Sequence, residues 1–116
     1  MEREQLDMFG GRLEARREAR AKGLTAAKRA AAKADRVTPG WTEFAYGFLV
    51  GYAKEHPVFM AEDVRLASSS IVAAPPDPRA WGAVIRKAVR AKVIRIDGYD
   101  ASKTGNARPM PVWRAA

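Results

Sequence analysis

Apolar residues recur every three or four positions in the segment that begins at Trp41. Because 3.6 residues make one helical turn, this spacing predicts an amphipathic helix with one broad buried face. The face comprises Trp41, Phe44, Ala45, Phe48, Leu49 and Tyr52. Pro57 ends this helix, residues 58–60 suit a very short strand, and residues 61–67 predict a second, short helix.

A cluster of prolines marks the clearest boundary in the chain. Pro75 and Pro76 exclude a continuing helix, and Asp77 suits an N-cap. Pro78 suits the first helical position, so we expect a third helix over residues 78–92. Its apolar stripe consists of Trp81, Val84, Ile85 and Ala88. Its other side gathers Arg79, Ala83, Arg86, Lys87 and Arg90.

The composition becomes β-like after this helix. Residues 93–99 and 110–113 predict two strands, joined by a loop rich in turn-forming residues. A tight hairpin that turns at Asp97-Gly98 is an alternative, but the residues after it are poor strand formers. The predicted order is helix, short strand, helix, helix, strand, loop, strand. This is the order of a winged helix-turn-helix domain, a mainly α (α+β) fold, over residues 38–116.

The segment that precedes this domain is built differently. Residues 12–37 are rich in alanine, arginine and lysine, which favours helix but leaves little apolar surface to bury. Gly23 is expected to end a first helical piece, and a second piece is expected to follow it. We therefore expect a flexible, partly helical basic arm. Two interpretations stay open, a solvated extension and an arm that follows DNA phosphates.

Composition bounds the classes of function. The chain of 116 residues has room for one domain and an appended segment. The absence of cysteine excludes disulfides and thiolate metal sites, and the single histidine, His56, disfavours any transition-metal site. No apolar run reaches bilayer length, so we expect no membrane partner and a cytoplasmic location.

Charge indicates what the partner is. The formal net charge is +8, which points to a polyanion, and nucleic acid fits better than a membrane surface because no basic helix with aromatic anchors is evident. Residues 1–36 carry ten Lys and Arg against six Asp and Glu, and residues 37–116 carry eleven against seven. Both parts are therefore basic, and neither is merely a charged tail.

Catalysis finds no support in the pattern of polar residues. The acidic residues after position 40 are scattered, and most suit caps, turns or solvated faces. Glu62 and Asp63 are adjacent, so on a helix they point in different directions. We find no Ser-His-Asp arrangement, glycine-rich phosphate loop or metal-ligand spacing. We therefore expect no catalytic residues, no cofactor and no small-molecule substrate.

The basic side of the predicted third helix favours DNA binding, because arginine can read guanine and any of these cations can hold a phosphate. The loop between the predicted strands, the wing, adds residues that could reach the adjacent groove or backbone. The predicted DNA-binding residues are Arg79, Arg86, Lys87, Arg90, Lys103, Asn106 and Arg108. A solvated basic face and a mobile turn are the simpler alternatives for each residue taken singly. Trp41 and Trp113 suit the core rather than base stacking, and the role of Tyr99 stays open.

The N-terminal peptide resembles a known interaction motif. Gln5-Leu6-Asp7-Met8-Phe9 is similar to the peptide by which bacterial replication and repair proteins bind the DNA polymerase sliding clamp, commonly Gln-Leu-Ser/Asp-Leu-Phe. The resemblance implies that Gln5 makes amide hydrogen bonds, that Met8 and Phe9 fill the apolar pocket of the clamp, and that Leu6 packs nearby. Residues 1–11 are then a clamp-binding motif and a glycine hinge. The alternatives are that these apolar residues fold back onto the domain or form the frayed start of the arm helix.

A second resemblance covers most of the chain from about Lys22. The segments PGWTEFAYGFLVGYA, FMAEDVR, PPDPRAWGAVIRKA and NARPMPVW resemble small winged-helix proteins encoded by phages and prophages near replication genes. The resemblance supports the fold and a setting in the cytoplasm and nucleoid of a bacterial host. It transfers no functional residues.

Together these features predict a non-enzymatic adaptor of phage or prophage type. It would bind double-stranded DNA, dock on the host sliding clamp, and modulate DNA replication by recruiting a factor or by blocking the clamp. The alternatives are a winged-helix transcription regulator without a clamp role, and a decoy that acts only through contacts with the clamp. The sequence leaves DNA sequence preference and oligomeric state open.

Overall fold

The computed structural model describes residues 21–102 and 108–116 of the chain. Within these residues the fold is mixed α+β, with four helices and one three-stranded antiparallel sheet. The elements in order are α1 (21–37), α2 (Trp41–Glu55), β1 (Val58–Met60), α3 (Ala61–Ser68), α4 (Ala80–Arg90), β2 (Ile94–Ala101) and β3 (Pro109–Ala115). No helix in this part of the chain is both long enough and apolar enough to cross a membrane.

The sheet confirms the predicted pairing of the last two strands. β3 lies in the centre and pairs antiparallel with β1 on one side and β2 on the other. β2 continues through Gly98, with a register shift between Ile96 and Gly98, so the alternative hairpin at Asp97-Gly98 is wrong. Trp113 faces Phe59 of β1 and Ile96 of β2, which joins the short strand to the hairpin.

The buried side of α2 is narrower than its sequence predicts. Trp41, Ala45, Leu49 and Ala53 form the buried line, at intervals of four residues. Phe44 was expected in the core, but 68% of it is exposed. Residues four apart lie almost above one another on a helix, so these four residues form one narrow strip. The neighbouring elements bury this strip, and Phe44 lies outside it.

α3 begins at the predicted place although Met60 is a poor N-cap residue. The carboxylate of Asp63 accepts the Met60 backbone N–H at 2.9 Å. This N–H lies at the start of the helix, where no backbone carbonyl of the helix can accept it. The helix then buries Val64 and Ser68 and ends at Ser68. The start of α3 is thus fixed by the side chain of Asp63, the third residue of the helix, rather than by that of Met60, the N-cap residue.

α4 begins two residues later than predicted. The N-cap is Arg79 rather than the predicted Asp77, and no side chain caps the helix. Asp77 instead holds the turn that precedes it, because its Oδ1 accepts the Arg79 N–H at 2.9 Å. The N–H groups of Ala80 and Trp81 bond the carbonyls of Asp77 and Pro78, three residues back, so a tight turn precedes the helix proper. The predicted stripe of Trp81, Val84, Ile85 and Ala88 is buried as expected.

α1 is part of the core, and this corrects the expectation of a solvated extension. The helix continues through Gly23, which therefore does not end it. Ala27, Ala30, Ala31 and Ala34 are buried, and the last three belong to the same apolar cluster as Trp41 and Trp81. The small alanine side chains allow close packing: a Cβ placed on Gly82 of α4 would lie 3.3 Å from the Cβ of Ala27.

Candidate nucleic-acid interface

The outer side of α4 carries two cations that are free to bind a ligand. Arg86 and Arg90 are one helical turn apart and exposed, because the stripe that packs in the core is on the opposite side of the helix. Neither forms a hydrogen bond or ion pair with any of the described residues. Their charge is therefore available to an anion from outside this part of the chain.

These two arginines line a groove between α1 and α4. The groove has a volume of about 530 Å³. Its walls are Leu24, Ala27 and Lys28 of α1 and Ala83, Arg86, Lys87, Arg90 and Ala91. Alanine and leucine side chains make the lining mostly apolar, while the cations provide its charge. The groove thus combines an apolar floor with positive charge, and its cations are of the kind that contact phosphates.

Lys87 lies in the same groove but is already paired. Its Nζ lies 2.6 Å from Oε1 of Glu43 and 4.6 Å from the ring centroid of Tyr46, both on α2. Ion pairs this exposed contribute little to stability, because water screens them and two long side chains must be ordered. A phosphate would therefore have to compete with Glu43 for this ammonium group.

Arg79 is also paired, at the other end of α4. Its Nε and Nη2 lie 2.9 and 2.7 Å from Oδ2 of Asp77. The side-chain and backbone hydrogen bonds from Arg79 hold the pKa of the Asp77 carboxyl below its ordinary value of 3.8. The same contact raises the pKa of Arg79. This arginine holds its turn in place at neutral pH rather than offering a free charge.

The predicted wing is described only at its base. Arg108 is exposed, whereas Lys103 and Asn106 lie outside the described residues. The Ser102 N–H bonds the Arg108 carbonyl at 2.9 Å, and the Ser102 hydroxyl donates to Oε2 of the nearly buried Glu62 at 3.1 Å. These contacts attach the base of the wing to the start of α3.

α1 separates the two groups of predicted DNA-binding residues. A second cavity, of about 520 Å³, lies on the wing side of α1 and includes Arg79 and Arg108 in its lining. Ala27 lines both cavities, and Gly82 lies beneath it where α1 crosses α4. The structure therefore brings Arg86, Lys87 and Arg90 together but puts Arg79 and Arg108 on the other side of α1.

Lys28 is a groove residue that is absent from the DNA-binding residues predicted from the sequence. It is exposed and lines the groove beside Arg86, Lys87 and Arg90. The alanines at positions 27, 30, 31 and 34 are spaced like the buried face of a helix. This spacing is the sequence feature that could have indicated that α1 packs against the domain and brings Lys28 to the groove. Alanine also occurs on exposed helix faces, so the spacing alone did not show that this face is covered.

The aromatic residues are mostly unsuited to base stacking. Trp41 and Trp81 are buried and contact each other edge to face, with ring centroids 5.4 Å apart. Trp113 is half-buried in the central strand, whereas Tyr99 on β2 is 69% exposed. The tryptophans of α2 and α4 therefore build the core, as predicted, and Tyr99 has the exposure that contact with a ligand would need.

The described part of the chain holds no cluster of candidate metal ligands. There, no three residues of the types His, Cys, Asp or Glu are grouped so that they could hold a metal ion. The predicted clamp-binding residues, Gln5 to Phe9, precede the first described residue. Comparisons with protein-family profiles, curated protein sequences and solved structures found nothing that matches this chain.

Proposed function

We propose that this protein is a winged-helix-type DNA-binding adaptor. Three features support the proposal: the order of helices and strands, the central position of β3 in a small antiparallel sheet, and the basic outer side of α4. In such a domain the last helix before the hairpin faces DNA and the hairpin loop is the wing. The net charge of +8 favours a polyanion as the partner.

The observation that carries the proposal is the pair of uncommitted cations on α4. Arg86 and Arg90 have no partner among the described residues, in contrast to Lys87 on the same helix and Arg79 just before it. Lys28 of α1 lies at the same groove and brings a third free cation to it. Each cation that neutralises a phosphate releases a counterion, so binding should weaken steeply as salt rises.

The test is the affinity for a labelled duplex, measured by fluorescence anisotropy at several salt concentrations. Arg86→Glu with Arg90→Glu should weaken binding by at least about tenfold and reduce the salt slope, because two phosphate contacts are lost. Lys54→Glu with Arg95→Glu is the matched control, since both residues are exposed, lie outside the groove and change the net charge equally. Equal affinity for both double variants would refute the role of α4.

We further propose that Gln5-Leu6-Asp7-Met8-Phe9 tethers the protein to the bacterial sliding clamp. The support is the motif itself, in which a methionine and a phenylalanine supply adjacent apolar anchors. A tether raises the local concentration of the DNA-binding domain at the clamp, so two modest affinities act together. Docking of this kind would place the protein at sites of replication.

Calorimetric titration of purified clamp tests the tether. The intact protein should give measurable binding heat, and Met8→Ala with Phe9→Ala should abolish it, because the apolar pocket is left unfilled. The double variant should keep its affinity for DNA. No heat with the intact protein would refute the tether, and a defined DNA operator in that case would favour a transcription regulator.

A further inference from the structure

α1 and α4 pack against each other where Ala27 meets Gly82. At this contact a Cβ added to Gly82 would lie 3.3 Å from the Cβ of Ala27, so the two helices pack tightly. Residues of both helices line the groove beside this contact, so Arg86 and Arg90 lie next to α1. A ligand that approaches this side of the molecule therefore meets α1 as well as Arg86 and Arg90.

The outward side of α1 carries a row of cations. Lys22, Arg29, Lys33 and Arg36 are separated by seven, four and three residues, which places them along one line of the helix. All four are exposed. The buried alanines of α1 fall on the opposite side. We call these four residues the α1 row.

The charge of the α1 row is not neutralised within the described part of the chain. None of its members forms an ion pair or side-chain hydrogen bond there. Lys33 is close enough to Asp77 to help lower the pKa of that carboxyl, but the carboxylate bonds Arg79. Asp35, the single acid in the described part of α1, is bonded to Thr42.

We propose that the α1 row binds the phosphates of duplex DNA without reading sequence. The row is about 21 Å long at 1.5 Å per residue, or about six nucleotide steps at 3.4 Å. Lysine and arginine on an exposed helix line reach phosphate oxygens, whereas reading bases requires insertion into a groove. This inference rests on the proposed function and adds a second contact surface, on α1, to the one on α4.

Variants that neutralise the α1 row test its role separately from that of Arg86 and Arg90. Arg29→Gln with Arg36→Gln removes two exposed charges and keeps good helix formers. We expect the salt slope of duplex binding to fall by about two and the affinity to fall at least about tenfold, equally for two unrelated duplexes. Lys54→Gln with Arg95→Gln is the matched control and should change the affinity less than about threefold.

The possible outcomes are distinct. Thermal unfolding monitored by circular dichroism should show that both double variants fold like the wild type. If the wild type binds DNA and the row variant binds as tightly as the control, the α1 row is refuted while the proposed function stands. A loss confined to one duplex sequence would also refute the row, since phosphate contacts cannot produce it. If the wild type fails to bind any duplex, the proposed function itself is wrong.

Discussion

Asp35 joins α1 to α2 through both oxygens of its carboxylate. Oδ1 accepts the Thr42 N–H and Oδ2 accepts the Thr42 hydroxyl, each at 2.8 Å. The N-cap of α2 is Gly40, which has a left-handed φ of 79° and no side chain to offer the helix. The first N–H groups of a helix need acceptors, so Asp35 supplies from another helix what Gly40 cannot.

We expect Asp35→Ala to lower the free energy of unfolding by about 1–2 kcal/mol, the usual cost of losing a capping side chain. Asp97→Ala is the control. It removes an exposed ion pair with Arg114, at 3.3 Å, which is expected to cost under about 1 kcal/mol. Urea denaturation of both variants measures the difference. Equal decreases in the free energy of unfolding would show that the hydrogen bonds from Thr42 to Asp35 stabilise the fold no more than an exposed ion pair does.

At the scale of elements, the sequence predicted α2, α3, α4 and the two long strands because each has a strong local signal. Pro57 and Pro75-Pro76 cannot stand in a helix interior, and the stripe from Trp81 to Ala88 is apolar enough to indicate its own burial. α1 lacks such a signal, since alanine suits buried and exposed positions equally. Its docking depends on Gly82, which is far away in the sequence and leaves room for it.

Gly23 tests whether α1 is one continuous helix. A Cβ added at Gly23 would meet nothing within 4 Å. Gly23→Ala should therefore raise the free energy of unfolding by up to about 1 kcal/mol, through helix propensity alone. Gly40→Ala should instead lower it, because that φ of 79° strains any side chain. Chemical denaturation distinguishes the two, and a loss of stability at Gly23 would indicate that the helix ends there.

At the scale of the whole molecule, the crossing of α1 over α4 changes how the positive charge is arranged. The sequence predicts that the basic side of α4 and the wing together contact DNA. In the structure α1 lies between them, so that Arg86 and Arg90 border one cavity and Arg108 borders another. No periodicity within one segment could predict this, since it depends on how two helices distant in sequence pack.

The central claim is that the exposed cations of α1 and α4 contact DNA phosphates. The salt dependence of wild-type duplex affinity tests it most directly, because the slope counts the phosphates neutralised at about 0.9 per contact. We predict measurable binding at low salt and a slope of about −3 or steeper, since Arg86, Arg90 and at least one cation of α1 take part. A slope near zero, or no binding at low salt, would contradict the account.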